Sequence, residues 1–144
     1  MKPPPSLKTA MTPFPYAVER SAPLEEARRL MDRHDVRHLP VTDRHELVGL
    51  VTDRDLRAVV ARPAGRKAAG GLTVADVYIS DPYVVDLDEP LENVLLTMAA
   101  QHIGSALVTR KGRLAGVFTA VDACRCFGEY IRETFPRPDG DEAA

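Results

Sequence analysis

This chain of 144 residues offers almost nothing to staple it or anchor it. It has two cysteines, no tryptophan and only 6% aromatic residues, and no apolar run approaches the roughly 18 residues a membrane helix needs. Cys124 and Cys126 stand two apart in a segment that reads as helix. They point to different faces, which suits neither a disulfide between them nor a chelate, so reduced thiols of a cytoplasmic protein are expected. The N-terminal MKPPPSLK has no apolar core, so no signal peptide is expected either. Charge of neither sign dominates: the net charge is −2, which gives no overall pull toward nucleic acid or an anionic membrane. The small basic cluster Arg62, Arg66, Lys67 lies among Pro, Ala and Gly and reads as a solvated linker. A chain of this length can bury roughly 70% of its unfolded surface, enough for one core without metal or disulfide.

What is present is a repeat. GLVTDRD at 49–55 returns as GVFTAVD at 116–122, and the whole chain overlays on itself at that offset of 67 without a gap. Pro15-Tyr16 falls on Pro82-Tyr83, Pro23-Leu24-Glu25 on Pro90-Leu91-Glu92, Met31 on Met98, and Val41-Thr42 on Val108-Thr109. Two units are too few for a solenoid. They predict one domain formed by two half-domains about a pseudo-two-fold axis.

Each half reads as β-α-β-β-α, an α/β (α+β) unit. After a short N-terminal helical turn ending near Met11, Pro13 and Pro15 force extended chain and Tyr16-Ala17-Val18 reads as a brief strand. Ser21 is the expected cap of the next helix, with Pro23 in its first turn and Leu24, Ala27, Leu30 and Met31 at helical spacing. Leu39–Thr42 and Leu47–Val51 are apolar runs around a polar turn, and a helix follows from Asp53 to Val60. The second half repeats this with Val84-Val85, a helix carrying Leu91, Val94, Leu95 and Met98, a hairpin around Arg110-Lys111-Gly112, and a helix from Ala120 to about Phe135. The expected boundaries are 7–61 and 73–131 for the two units, a linker at 62–72 and a polar tail at 132–144.

The repeated Gly, Thr and Asp sit around a strand-to-helix junction. Gly49 and Gly116 lie inside strand patterns, where glycine marks a bulge or a close approach by another backbone or a ligand. Thr52 with Asp55, and Thr119 with Asp122, fit a reciprocal helix cap. The same positions also fit a ligand site, because a helix N-terminus offers N–H groups to a phosphate and an ionised aspartate can accept from a ribose diol. His34 and His38 are four apart, but Pro40 and the strand after it argue against one helix carrying both, so no metal site is expected. No Ser, Cys or Lys stands in a nucleophile motif, so no catalytic residues and no enzyme activity are expected.

The doubled G-h-h-T-x-x-D (h, apolar), the VRHLPVTD segment and the tandem β-α-β-β-α halves together resemble a cystathionine-β-synthase (CBS) domain pair, or Bateman module, over about residues 7–130. That resemblance implies a stand-alone regulatory module whose two halves leave clefts for adenosine derivatives: AMP, ADP, ATP or S-adenosylmethionine. It implies ribose on Asp55 and Asp122 with Thr52 and Thr119 nearby, and base walls around Phe14-Tyr16 and Ile79-Tyr83, including Tyr16 and Tyr83. It further implies that Arg37 and His38 serve the Asp122 cleft, and Gly104 and Ser105 the Asp55 cleft, where Arg54 is the nearby cation. Since arginine binds phosphate in a two-pronged, permanently charged fashion, Arg37 leads to the expectation that the Asp122 cleft prefers phosphorylated ligands. A helix-mediated homodimer through Phe127, Tyr130, Ile131 and Phe135 is expected, with an unknown regulated protein as partner. The competing reading is a constitutive dimeric interaction module with empty clefts, kept open by TAVD in place of TDRD.

Overall fold

The computed structural model describes residues 3–62 and 71–138; Arg66, Lys67, most of the expected linker and the end of the tail lie outside the described residues. The first half is β2 (Val18–Glu19), α2 (Leu24–His34), β3 (His38–Asp43), β4 (Glu46–Thr52) and α3 (Asp53–Val60). The second is β5 (Val84–Asp86), α4 (Leu91–Gln101), β6 (Ser105–Arg110), β7 (Arg113–Thr119) and α5 (Ala120–Thr134). Each is the expected β-α-β-β-α unit. The first strand of each half pairs parallel to the second, and the second and third form an antiparallel hairpin.

Local chemistry explains the regularity. Both hairpins turn through two residues with positive φ, Arg44-His45 and Lys111-Gly112, the twist that a two-residue connection requires. Both carry a bulge at the same repeat position, after Val41 and after Val108. Helices α2 and α4 end on left-handed residues, Asp35 and His102. One expectation fails here: Ser21 does not cap α2. Pro23 holds the N-cap position without any side-chain bond, as Pro90 does for α4, because the chain enters each helix directly from proline's preset φ. The brief strand is also shifted, covering Val18–Glu19 rather than Tyr16–Val18.

The segments that lead into the halves are exchanged between them. At the N-terminus, α1 (Leu7–Ala10) and β1 (Thr12–Pro13) belong in sequence to the first half. Yet β1 pairs with β7, and Leu7, Ala10 and Met11 are buried in the core of the second half with Val94, Met98 and Phe118. At the corresponding repeat positions, a 3-10 turn (Val74–Asp76) and Tyr78-Ile79 pack on the first half. Val74 is fully buried there, and Ile79 bridges Leu50 through paired backbone hydrogen bonds of 3.0 and 2.7 Å. Each half's core is therefore completed by the arm of the other.

This exchange accounts for the strand glycines. A Cβ on Gly49 would stand 2.2 Å from the Ile79 carbonyl oxygen and 2.5 Å from the Tyr78 ring, and one on Gly116 would stand 2.5 Å from Met11 Sδ and 2.9 Å from the Thr12 carbonyl oxygen. The close approach is by another backbone. Between the halves, Leu50, Leu107 and Val117 form a separate buried cluster flanked by Leu47 and Leu114, so the two sheets meet through their hairpins.

Candidate functional site

The two strand-to-helix junctions fold alike. Thr52 is the N-cap of α3: its N–H and hydroxyl both donate to Asp55 Oδ2, at 2.9 and 2.8 Å, and the Asp55 N–H donates back to Thr52 Oγ1 at 3.2 Å. Thr119 and Asp122 repeat this on α5 at 3.0, 3.2 and 3.3 Å. The capping reading is thus physically present at both sites, contributing about 1 kcal/mol to each helix. The residue just ahead of the neighbouring strand, β3 or β6, joins in, since the Arg37 carbonyl accepts from the Asp53 N–H and the Gly104 carbonyl from the Ala120 N–H, both at 2.9 Å.

Capping uses one oxygen of each aspartate. The other oxygens differ: Asp55 Oδ1 has no partner among the described residues, whereas Asp122 is buried and its Oδ1 accepts from Arg125 Nη2 at 3.1 Å.

His38 and Ser105 occupy matched positions at the start of β3 and β6, registered against Thr52 and Thr119 respectively. Ser105 is buried and His38 half-buried. Burial pushes the His38 imidazole below its ordinary value; the carboxylate of Asp55 opposes this, Arg37 reinforces it, and Asp122 and Asp53 oppose it more weakly. His38 therefore feels the carboxylates of the motif aspartates of both halves.

The sign of that shift makes a prediction. With the folded-state pKa below the unfolded one, the native protein binds fewer protons than the unfolded chain in the window below about 6.5, so this contribution to stability is complete above that pH and is lost as pH falls toward the folded value. His38→Gln should flatten the acid limb of a urea-midpoint profile between about pH 7.5 and 5.5. Parallel profiles for the two proteins would refute it.

The remaining expected residues are placed less evenly. Arg37 is exposed, and its guanidinium approaches Asp53 of its own half at 3.7 Å, where Arg57 also pairs at 2.8 Å. Arg54 is exposed in the first turn of α3. Tyr16 is exposed and stacks on His34, with ring centroids 3.5 Å apart, while Tyr83 packs against the second core. Phe14 is 91% exposed with φ of 48°, an unusual conformation for a bulky residue, between two prolines and tied by its N–H to the Ala115 carbonyl. Arg125 was missed by sequence reasoning because it lies outside the repeated motif, opposite Ala58 at the 67-residue offset.

Two grooves lie on the helical side, at matched repeat positions. The first, about 370 Å³ between α2 and α3, is lined by Arg28, Asp32, Asp53, Leu56 and Arg57. The second, about 460 Å³ between α4 and α5, is lined by Leu91, Leu95, Cys124, Phe127 and Tyr130. Among the described residues no group of three or more His, Cys, Asp or Glu side chains could hold a metal ion, and no helix is long and apolar enough to cross a membrane.

Comparison with known proteins agrees with this geometry. The family model for the CBS domain matches twice, at residues 7–62 and 74–129. The chain is 35% identical over 130 residues to inosine-5'-monophosphate dehydrogenase of Thermoplasma acidophilum, a match covering 88% of this chain and 23% of that enzyme. It spans less than a quarter of the length of the first curated relatives it matches. Among solved structures, CBSX2 in complex with AMP superposes with a TM-score of 0.75 at 26% identity, covering 88% of this chain and 98% of that one. The CBS domain pair of protein MJ0100 in complex with 5'-methylthioadenosine and S-adenosyl-L-methionine superposes with a TM-score of 0.73 at 25% identity, covering 86% and 100%.

Proposed function

The chain belongs to the CBS-domain family, carrying the domain twice, and from that premise we propose that it is a regulatory module that binds an adenosine-type nucleotide at the Thr52-Asp55 junction. The observation that carries this reading is the Oδ1 of Asp55 at the N-terminus of α3, which has no hydrogen-bond partner among the described residues. One oxygen holds the helix cap while the other remains an ionised acceptor for a ribose diol. The adjacent helix N-terminus and the exposed Arg54 favour a negatively charged phosphate. The AMP held by CBSX2 and the adenosine compounds held by the MJ0100 pair support the ligand class. Binding energy that differs between two relative orientations of the halves would then be read by a partner protein as a population shift. Calorimetric titration of the nucleotide-stripped protein with AMP, ADP, ATP and S-adenosylmethionine tests this: saturable binding of at least one is expected, and none by any of them would refute it.

The interaction-module reading keeps one observation in its favour. At matched repeat positions the first half presents Arg28, Arg29, Arg54 and Arg57, and the second presents Leu95, Leu96, Val121 and Cys124. Leu96 is 69% and Val121 76% exposed, and α5 adds Phe127 and Ile131, with Phe135 just past its end. An exposed apolar surface of this kind on one of two otherwise equivalent helix pairs fits an isologous homodimer through α4 and α5. Light scattering should give the mass of two chains at micromolar concentration, and Phe127→Asp should shift it to one chain. A wild-type mass of one chain throughout would reject the dimer without touching the nucleotide site.

A further inference from the structure

The two motif aspartates cap their helices identically and differ in what else they hold. Asp55 Oδ1 is without a partner among the described residues. Asp122 Oδ1 accepts from Arg125 Nη2 at 3.1 Å, and that same nitrogen donates to the carbonyl of Ala10 at 3.2 Å. One guanidinium thus ties the second motif aspartate to the last residue of α1, which reaches this half from the opposite end of the chain. The repeat position of Arg125 in the first half is Ala58, so the tie has no counterpart there.

Resting on the ribose-binding reading above, we propose that Arg125 is a positioning residue that withholds Asp122 from a ribose, so that the Asp55 cleft fills first and the Asp122 cleft fills only by displacing the guanidinium from both Asp122 and α1. A carboxylate oxygen already accepting a charge-assisted hydrogen bond gains little by exchanging it for a hydroxyl. The Arg125 side chain is half exposed, so the freed guanidinium passes to water and the cleft is weakened rather than closed. Arg37, from which a preference of the Asp122 cleft for phosphorylated ligands is expected, has its guanidinium 3.7 Å from Asp53 in the first half.

The test compares ADP binding by Asp55→Ala, which leaves only the Asp122 cleft, with binding by Asp55→Ala/Arg125→Met. Methionine keeps an unbranched apolar stem and removes the fork. Affinity should rise about fivefold for ADP, the scale of one partly exposed ion pair. It should not rise for 2',3'-dideoxy-ADP, which has no diol to offer; a residue that merely supports the fold would weaken both ligands alike. Arg125→Lys, which keeps the charge but carries its nitrogen one bond closer to the backbone than Nη2, should fall between and serves if the methionine variant melts early. Unchanged or weaker ADP binding in the double variant, or an equal gain for the dideoxy compound, overturns the proposal. Absence of nucleotide binding in the wild-type protein is a different result, which removes the ribose reading and this proposal together.

Discussion

Replacing Asp55 with alanine is expected to remove the tight nucleotide site, lowering affinity by about 100-fold or more. A ribose diol donating to an ionised acceptor makes two hydrogen bonds of about 1.5 kcal/mol each at the low end, and their joint loss exceeds two decades in Kd. What remains is the weaker Asp122 cleft. The same substitution deletes the acceptor for the Thr52 N–H and hydroxyl, so α3 should fray and global stability fall by about 1 kcal/mol. Asp55→Asn separates the two effects, because its carbonyl oxygen can still accept from the Thr52 N–H while the charge is gone: near-normal melting with at least about tenfold weaker binding is the expected pattern. Calorimetry and thermal melts on the three proteins decide it. Affinity in Asp55→Ala within about threefold of wild type would count against any role for this carboxylate in binding.

The second large effect is on the fold. Gly49→Ala should destabilise the protein by about 2–3 kcal/mol, read as a lowered urea midpoint with unchanged slope. The added methyl group meets the Ile79 carbonyl oxygen and the Tyr78 ring, and Ile79 cannot retreat without breaking its two backbone hydrogen bonds to Leu50. Gly116→Ala should cost only about 1 kcal/mol, because its nearest obstacle is the flexible Met11 side chain and the Thr12 carbonyl oxygen lies farther off. Equal losses at the two positions, or a greater loss at Gly116, would mean that the arm crossing Gly49 yields more easily than its paired hydrogen bonds imply.

The repeat made most of the architecture legible. Hydrophobic period marks β3, β4, α3 and their counterparts, and the motif Thr and Asp stand where the caps form. The exchange of arms was not legible, because a pattern repeated at a fixed offset reads the same whichever half each arm completes. Leu7 and Val74 are simply apolar residues at the start of a unit. The cap of α2 was misread for a local reason: Ser21 has the right chemistry, but proline's preset φ already turns the chain into the helix two residues later. At the candidate site, the sequence singles out both aspartates and sets them apart only through Arg37. In the structure they differ through Arg125, which donates to Asp122 Oδ1; Ala58 at the matched position is visible in the sequence, but the Ala10 carbonyl that also holds the guanidinium leaves no mark there.

The exchanged arms also bear on how the chain is made. Thr12 leaves the ribosome about a hundred residues ahead of its partner Val117; at ordinary rates of synthesis that arm waits on the order of ten seconds with Leu7, Ala10 and Met11 uncovered. The first half gains its own missing piece sooner, once residues 74–79 have emerged. Birth order therefore favours completion of the first half, with the earlier-made arm docking after the later one, and a neighbouring nascent chain on the same messenger offers that waiting arm an equivalent seat.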